Sequence, residues 1–383
     1  MRAKKQFLFW AFPVLLLLPV IAYFVFTVDP FFHYRAPDTD RYYYPLNNER
    51  SQNDGILRHF DYDALITGTS MTMNFKTSEA DSVFGVHSVK VALPGSHFYE
   101  VNEMLRRALR YRPDLKLIIR GLDAGYLEIL SESSSRNLRY LYNNNPLDDI
   151  NYLLNRDLFF GRALPMALAR AEGTAEPGIT SFDDYSHWEL PSGPNAATVD
   201  GIHIVPAGTP VHMSEADADA VRRNITRNVA SLAAEHPDTE FYYFFSPYSI
   251  IWWQSLVDDG TVYRQVEMEE LACSILLEYD NIHLFSFSGR TDITTDLNNY
   301  GDPIHYCHWI NSLILRWMKD DAYRLTPDNY QDYLRQELDF YTGFDYSSLI
   351  EQQDYEDDLY AAEILQPETL GLTPHPDLWE GAV

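Results

Sequence analysis

Residues 63–71 read Asp63-Ala64-Leu65-Ile66-Thr67-Gly68-Thr69-Ser70-Met71, a short apolar run that stops at a glycine and leaves a hydroxyl at its tip. A run of this length bounded by turn residues reads as a buried strand rather than a helix. Val86–Leu93 (VHSVKVAL) has the same form and ends at Pro94-Gly95, and Leu115–Leu122 (LKLIIRGL) carries a glycine near its end. Strand-like runs recur at Phe241–Phe245 and Ile282–Phe287. Helical patterns separate them. Phe98–Tyr111 places Val101, Leu105, Ala108 and Leu109 on one face, Ser214–His236 opens on the cap-like Ser214-x-x-Asp217, and Val262–Tyr279 and His308–Met318 follow. The alternation predicts an α/β domain over 56–320, with a mostly parallel sheet covered on both faces and chemistry just beyond the carboxyl ends of the strands. Between 127 and 213 the pattern loosens, and this segment, with its aromatic and acidic stretch Phe182–Trp188, reads as an inserted cap or loop over the sheet edge.

The N-terminus decides localisation. Phe7–Val28 (FLFWAFPVLLLLPVIAYFVFTV) carries no charge, and at about 1.5 Å per residue it matches a hydrocarbon core roughly 30 Å thick. Arg2, Lys4 and Lys5 precede it and Asp29 follows, so the positive-inside rule keeps residues 1–6 in the cytoplasm and everything after Asp29 outside it. The alternative, a cleaved signal peptide, calls for a shorter apolar region and a small-x-small cleavage site, whereas this run ends Phe24-Val25-Phe26-Thr27. The expectation is therefore a single-pass membrane anchor, followed by an irregular connector at 29–55 rich in Tyr, Pro, Asn and Arg.

The net charge of -27 argues against nucleic acid as a partner and against a basic patch for anionic lipid. Sixteen Asp and Glu against two Arg lie from Asp320 onward, so 321–383 reads as a solvated acidic extension. Cys273 and Cys307 are too few for a disulfide framework or a four-thiolate zinc site. Outside the cytoplasm they can pair, closing a loop of roughly 35 residues. His187, His203 and His212 match no familiar metal-ligand spacing and read as surface residues. Nothing resembles a phosphate loop or a dinucleotide fingerprint, and no cofactor is expected.

Ser70 at the tip of a strand is a candidate nucleophile, provided a base takes its proton and backbone N–H groups receive the oxyanion; the competing reading is a routine helix cap. Far along the chain, Asp302-Pro303-Ile304-His305 offers that base on one short loop, with a carboxylate three residues earlier to fix its tautomer. His308, one turn on, neighbours the site without acting in it. Trp252, Trp253, Tyr242 and Tyr243 read mainly as core or edge aromatics, although Trp252 near the strand end at Ser246 also suits stacking on a sugar ring.

On these residues the chain resembles the SGNH/GDSL hydrolase superfamily over most of Asp63–Met318. Gly68-Thr69-Ser70 looks like the family's first block, Gly95 like the glycine whose N–H enters the oxyanion hole, and Asp302-x-x-His305 like the last block. The resemblance implies a three-layer α/β/α, flavodoxin-like domain. It also implies a Ser70–His305–Asp302 triad, with the N–H groups of Ser70 and Gly95 as oxyanion donors. Two positions depart from the pattern. Thr69 stands where the family has Asp, and Gly121-Leu122-Asp123 stands where an Asn side chain is expected in the oxyanion hole. An ionised Asp123 there would oppose a developing negative charge, so the expectation is a protonated carboxyl, one turned toward a neighbour such as Arg120, or another donor in its place. The architecture is further similar to membrane-tethered bacterial proteins of envelope-polymer O-acetylation and D-alanylation. That similarity implies a membrane-bound acyltransferase and an envelope polysaccharide or teichoic-acid-like polymer as partners. The reading is a serine esterase or O-acyltransferase; the rival is a non-catalytic binding or scaffold protein that keeps the fold.

Overall fold

In a computed structural model the described residues are 16–131, 136–143, 145–185, 192–198 and 202–350. The chain divides into two compact units, one of residues Met1–Asp61, Arg107–Pro113 and Ser133–Ser186, the other of Tyr62–Arg106, Asp114–Glu132 and His187–Val383.

The second unit is built on a six-stranded sheet. Its strands are β1 (Ala64–Gly68), β2 (Ser88–Ala92), β3 (Leu117–Leu122), β4 (Glu240–Phe245), β5 (Ile282–Ser286) and β6 (Arg324–Leu325). They run in the order β2-β1-β3-β4-β5-β6, and every pair is parallel except β5 with β6. Every residue of β1, β2 and β3 is buried, as expected of a parallel sheet covered on both faces, where strands read as continuous apolar runs. The connecting helices are α1 (Thr77–Phe84), α2 (Phe98–Tyr111), α3 (Glu215–Ile225), α4 (Ile250–Asp258), α5 (Val262–Leu276), α6 (His308–Lys319) and α7 (Tyr330–Gly343). They lie on both sides of the sheet; α1 packs on α6, and α5 packs on α3 and α7. The Ser214 cap forms as a reciprocal capping box with Asp217.

At 29–55, where an irregular connector is expected, the other unit contains regular elements. Glu49–His59 is a helix with residues 51–57 all buried, and Tyr43–Tyr44 pairs in parallel with Gly178–Ile179. No local periodicity announces a two-residue strand whose partner is so distant in sequence. Asp29, with φ +48, closes a knot in which its carboxylate accepts from the N–H groups of His33 (3.0 Å), Tyr34 (2.9 Å) and Arg35 (3.2 Å) and from Tyr152 OH (2.8 Å). The segment 127–213 is likewise not one insertion, because 133–186 groups with this unit and the remainder with the sheet.

Of the expected membrane span 7–28, residues 7–15 lie outside the described residues. Residues 16–28 are helical, with Leu16, Leu17, Val20, Tyr23 and Phe26 exposed and Val25 and Val28 buried. Among the described residues no helix is long and apolar enough to cross a membrane. No disulfide joins Cys273 to Cys307 in this structure; Cys273 is buried within α5, and Cys307 caps α6.

The acidic extension also begins later than its composition implies. Residues 324–325 pair with β5, and α7 buries Leu334, Glu337 and Tyr341, with Tyr341 stacked on Trp253 at 4.0 Å. Residues 351–383 lie outside the described residues. Glu337 of α7 and Glu269 of α5 are both buried, and burial, followed for Glu337 by the charge of Glu269, holds both above the ordinary glutamate range. The folded state therefore keeps protons that the unfolded chain releases above the ordinary value of 4.5. Their contribution to stability is complete below that value and is lost as pH rises through the raised ones. The slope is at most about 1.4 kcal/mol per pH unit per proton. Glu337→Gln, which is always neutral, should gain stability over the wild type as pH rises from 5 to 8, read as the urea midpoint of both proteins at each pH; a constant difference would refute the protonated pair.

Candidate active site

Ser70 sits where β1 ends. Gly68, at φ +150, brings the chain so close to the next turn that a Cβ there would meet Thr72 Cγ2 at 2.7 Å, so only glycine fits. Thr69 then caps the short turn Ser70–Thr72, accepting a bond from Met71 N–H, and Thr72 Oγ1 donates back to Thr69 O at 2.9 Å. Thr69, not Ser70, is thus the cap. The Ser70 hydroxyl is left for another partner, which is His305: Oγ and Nε2 are 2.7 Å apart across 235 residues of sequence.

The loop that carries His305 is closed on itself. Tyr300 and Tyr306 form an isolated antiparallel bridge, and Gly301 N–H donates to His305 O at 3.0 Å. Ser249, beyond β4, donates through Oγ (2.7 Å) and N–H (3.1 Å) to Pro303 O. Asp302 Oδ2 lies 2.5 Å from His305 Nδ1, while Oδ1 accepts from the N–H groups of Ile304 (2.9 Å) and His305 (2.8 Å). Burial raises the Asp302 carboxyl, but these three donors outweigh it and leave it below the usual carboxylate range. An ionised Asp302 holds the proton on Nδ1, so Nε2 faces Ser70 as an acceptor.

Asp123 is the position at which the sequence promised difficulty. It is buried, and it faces neither solvent nor Arg120. Thr69 Oγ1 donates to its Oδ2 at 2.8 Å and Tyr248 OH to its Oδ1 at 2.7 Å. Arg120 gives Nη1 to Asn228 O (2.9 Å) and Nη2 to Phe98 O (3.3 Å), so of the alternatives weighed for Asp123 the turn toward Arg120 is not the one seen. Burial raises the Asp123 carboxyl above the usual range, against the hydrogen bonds of Tyr248 and Thr69 and the charges of His305 and Arg120. Asp123 is therefore a brace between the turn after β1 and the loop after β4.

Gly95 occupies the third position of a turn from Leu93 to Ser96, with φ +67 following Pro94, which is the type II pattern that requires glycine. Leu93 N–H donates to Gly68 O at 2.8 Å, so the turns after β1 and β2 leave the same sheet edge side by side. Ser246 follows β4 and is buried. Trp252 is half-buried and meets the Tyr248 ring edge-to-face at 4.9 Å, whereas Trp253 and Tyr243 are core residues. His308 opens α6, half-buried. His203 is exposed, His212 pairs with Glu267 at 2.6 Å, and His187 lies outside the described residues. Among the described residues no group of three His, Cys, Asp or Glu is placed to hold a metal ion.

Tyr248 and Ser249 escaped the sequence reading. Their only signal is position, immediately past the carboxyl end of β4, where a parallel sheet gathers its site residues. Removing the Asp123 carboxyl strands two buried hydroxyls: Asp123→Ala should cost about 2–4 kcal/mol in urea unfolding, whereas Asp123→Asn, which can bond both, should stay within about 1 kcal/mol. Equal losses in both would show that the brace is not what Asp123 supplies. No protein-family model matches the chain, and a comparison with curated proteins gives no match either.

Proposed function

We propose that the chain is a membrane-tethered, SGNH-like serine esterase or O-acyltransferase acting outside the cytoplasm. The observation that carries the reading is the continuous relay Ser70 Oγ–His305 Nε2 at 2.7 Å and His305 Nδ1–Asp302 Oδ2 at 2.5 Å. These are working distances for a nucleophile, its base and the group that orients the base. The strand order β2-β1-β3-β4-β5 is that of flavodoxin-like sheets, whose ligands bind at the switch point beside the first strand, where Ser70 lies. The charge-free run at residues 7–28 supports the tether, and its exit near Asp29 supports a substrate found at a membrane surface.

In this reading His305 Nε2 takes the Ser70 proton as Oγ attacks an ester carbonyl. The N–H groups of Ser70 and Gly95 receive the oxyanion, and Asp302 stabilises the imidazolium. His305 then returns the proton to the leaving alcohol. A second hydroxyl, from water or from a sugar or polyol, takes the acyl group from Ser70 by the same steps in reverse. Asp123 fits the reading as a brace, because its carboxyl is engaged by Thr69 and Tyr248 and is held toward its neutral form.

The test uses the purified full chain. A fluorophosphonate probe should label the wild type and leave Ser70→Ala unlabelled, and Asp302→Asn, which offers His305 the wrong partner, should slow turnover of a chromogenic acetyl ester by roughly 10³- to 10⁴-fold. A folded wild type that neither labels nor turns over ester, or equal labelling of Ser70→Ala, would sink the triad.

A further inference from the structure

The wall formed by the last turn of α3 and the turn that follows it is basic in a chain of net charge -27. Arg222 and Arg223 lie in the last turn of α3, and the helix continues as a π-helical turn at Thr226–Ala230 that carries Arg227. Such widened turns break the α-helical period and are frequent at functional sites. Together with Leu130, Thr226 and Asn228, the three arginines line an open cavity of about 490 Å³, within the size range of small-ligand sites. Arg222 pairs with Asp219 at 3.1 Å through two half-exposed side chains, and such a pair gives way readily to a better anion.

The wall is fixed rather than adaptable. Asn228 is buried, with Nδ2 donating to Asn224 Oδ1 at 2.9 Å and its carbonyl accepting from Arg120. Asn224 Nδ2 in turn donates to the carbonyls of Tyr126 (3.0 Å) and Leu127 (2.9 Å). The cavity is thereby stapled to the loop that leaves β3 at Asp123. The first turn of α2 reaches it as well, since Arg227 lies over the Tyr99 ring at 5.9 Å, and His97 in the loop before that helix meets the Tyr126 ring at 4.8 Å.

We propose that this cavity is a binding site for a ligand bearing two or more carboxylate or phosphate groups, held by Arg222, Arg223 and Arg227. Guanidinium forks match both oxyanions in bidentate geometry, and three of them on one wall favour a multiply charged ligand over a single carboxylate. The site stands on its own residues and does not depend on the chemistry at Ser70.

Calorimetric titration of the full chain with citrate and, separately, with pyrophosphate tests it. At least one should bind saturably at one site per chain, more weakly as sodium chloride is added, and the preferred anion identifies the group recognised. Arg223→Gln with Arg227→Gln should weaken binding by about tenfold or more, while Arg335→Gln, an exposed charge on α7, should leave it unchanged. Should the double variant unfold, Arg223→Gln alone, at an exposed position, should still weaken binding severalfold. Saturable binding by neither anion, or equal weakening by Arg335→Gln and the cavity variants, would overturn the proposal.

Discussion

A buried parallel strand cannot turn back on its neighbour. It must leave the sheet, cross through a helix and re-enter from the same end, so every carboxyl terminus arrives at one edge. That constraint organises the sheet-bearing unit. Gly68 ends β1, Ala92 ends β2, Leu122 ends β3 and Phe245 ends β4, and each is followed within three residues by a residue of the site or its supports: Ser70, Gly95, Asp123 and Tyr248. The hydrogen bonds from Thr69 and Tyr248 to Asp123 and from Leu93 to Gly68 then lock neighbouring exits together.

Two carboxyls near one imidazole are treated in opposite ways. Asp302 keeps some solvent and three N–H donors, two of them backbone groups, and is held ionised. Asp123 is buried and accepts from two neutral hydroxyls, and burial raises its carboxyl above the usual range. Environment rather than residue type separates a group suited to stabilising a positive charge from one suited to holding structure. The same logic operates away from the site, where Glu269 and Glu337 share a buried space and burial raises both carboxyls.

Much of this was legible in sequence because its signals are local. Short apolar runs, three of them with a glycine at or near the end, locate five strands to within a residue or two, and Asp302-x-x-His305 places a base and its orienter on one loop whatever surrounds them. What escaped depends on pairing at a distance. Nothing near Tyr248 in sequence says that its hydroxyl meets Asp123, and nothing near Tyr43 says that it pairs with Gly178. Composition was also a poor guide to residues 330–343, where α7 exposes Asp332, Arg335 and Asp339 yet buries Leu334, Glu337 and Tyr341.

The loop from Tyr300 to Tyr306 carries one more implication. Its bridge, its Gly301–His305 bond and the Ser249 clasp tie Asp302 and His305 into one closed loop. The ordering cost of aligning the two is met once, when the chain folds, and is not met again at each encounter with a ligand. For variation over generations, this makes the loop a single hereditary character: substitutions within it keep both groups in register or displace both at once.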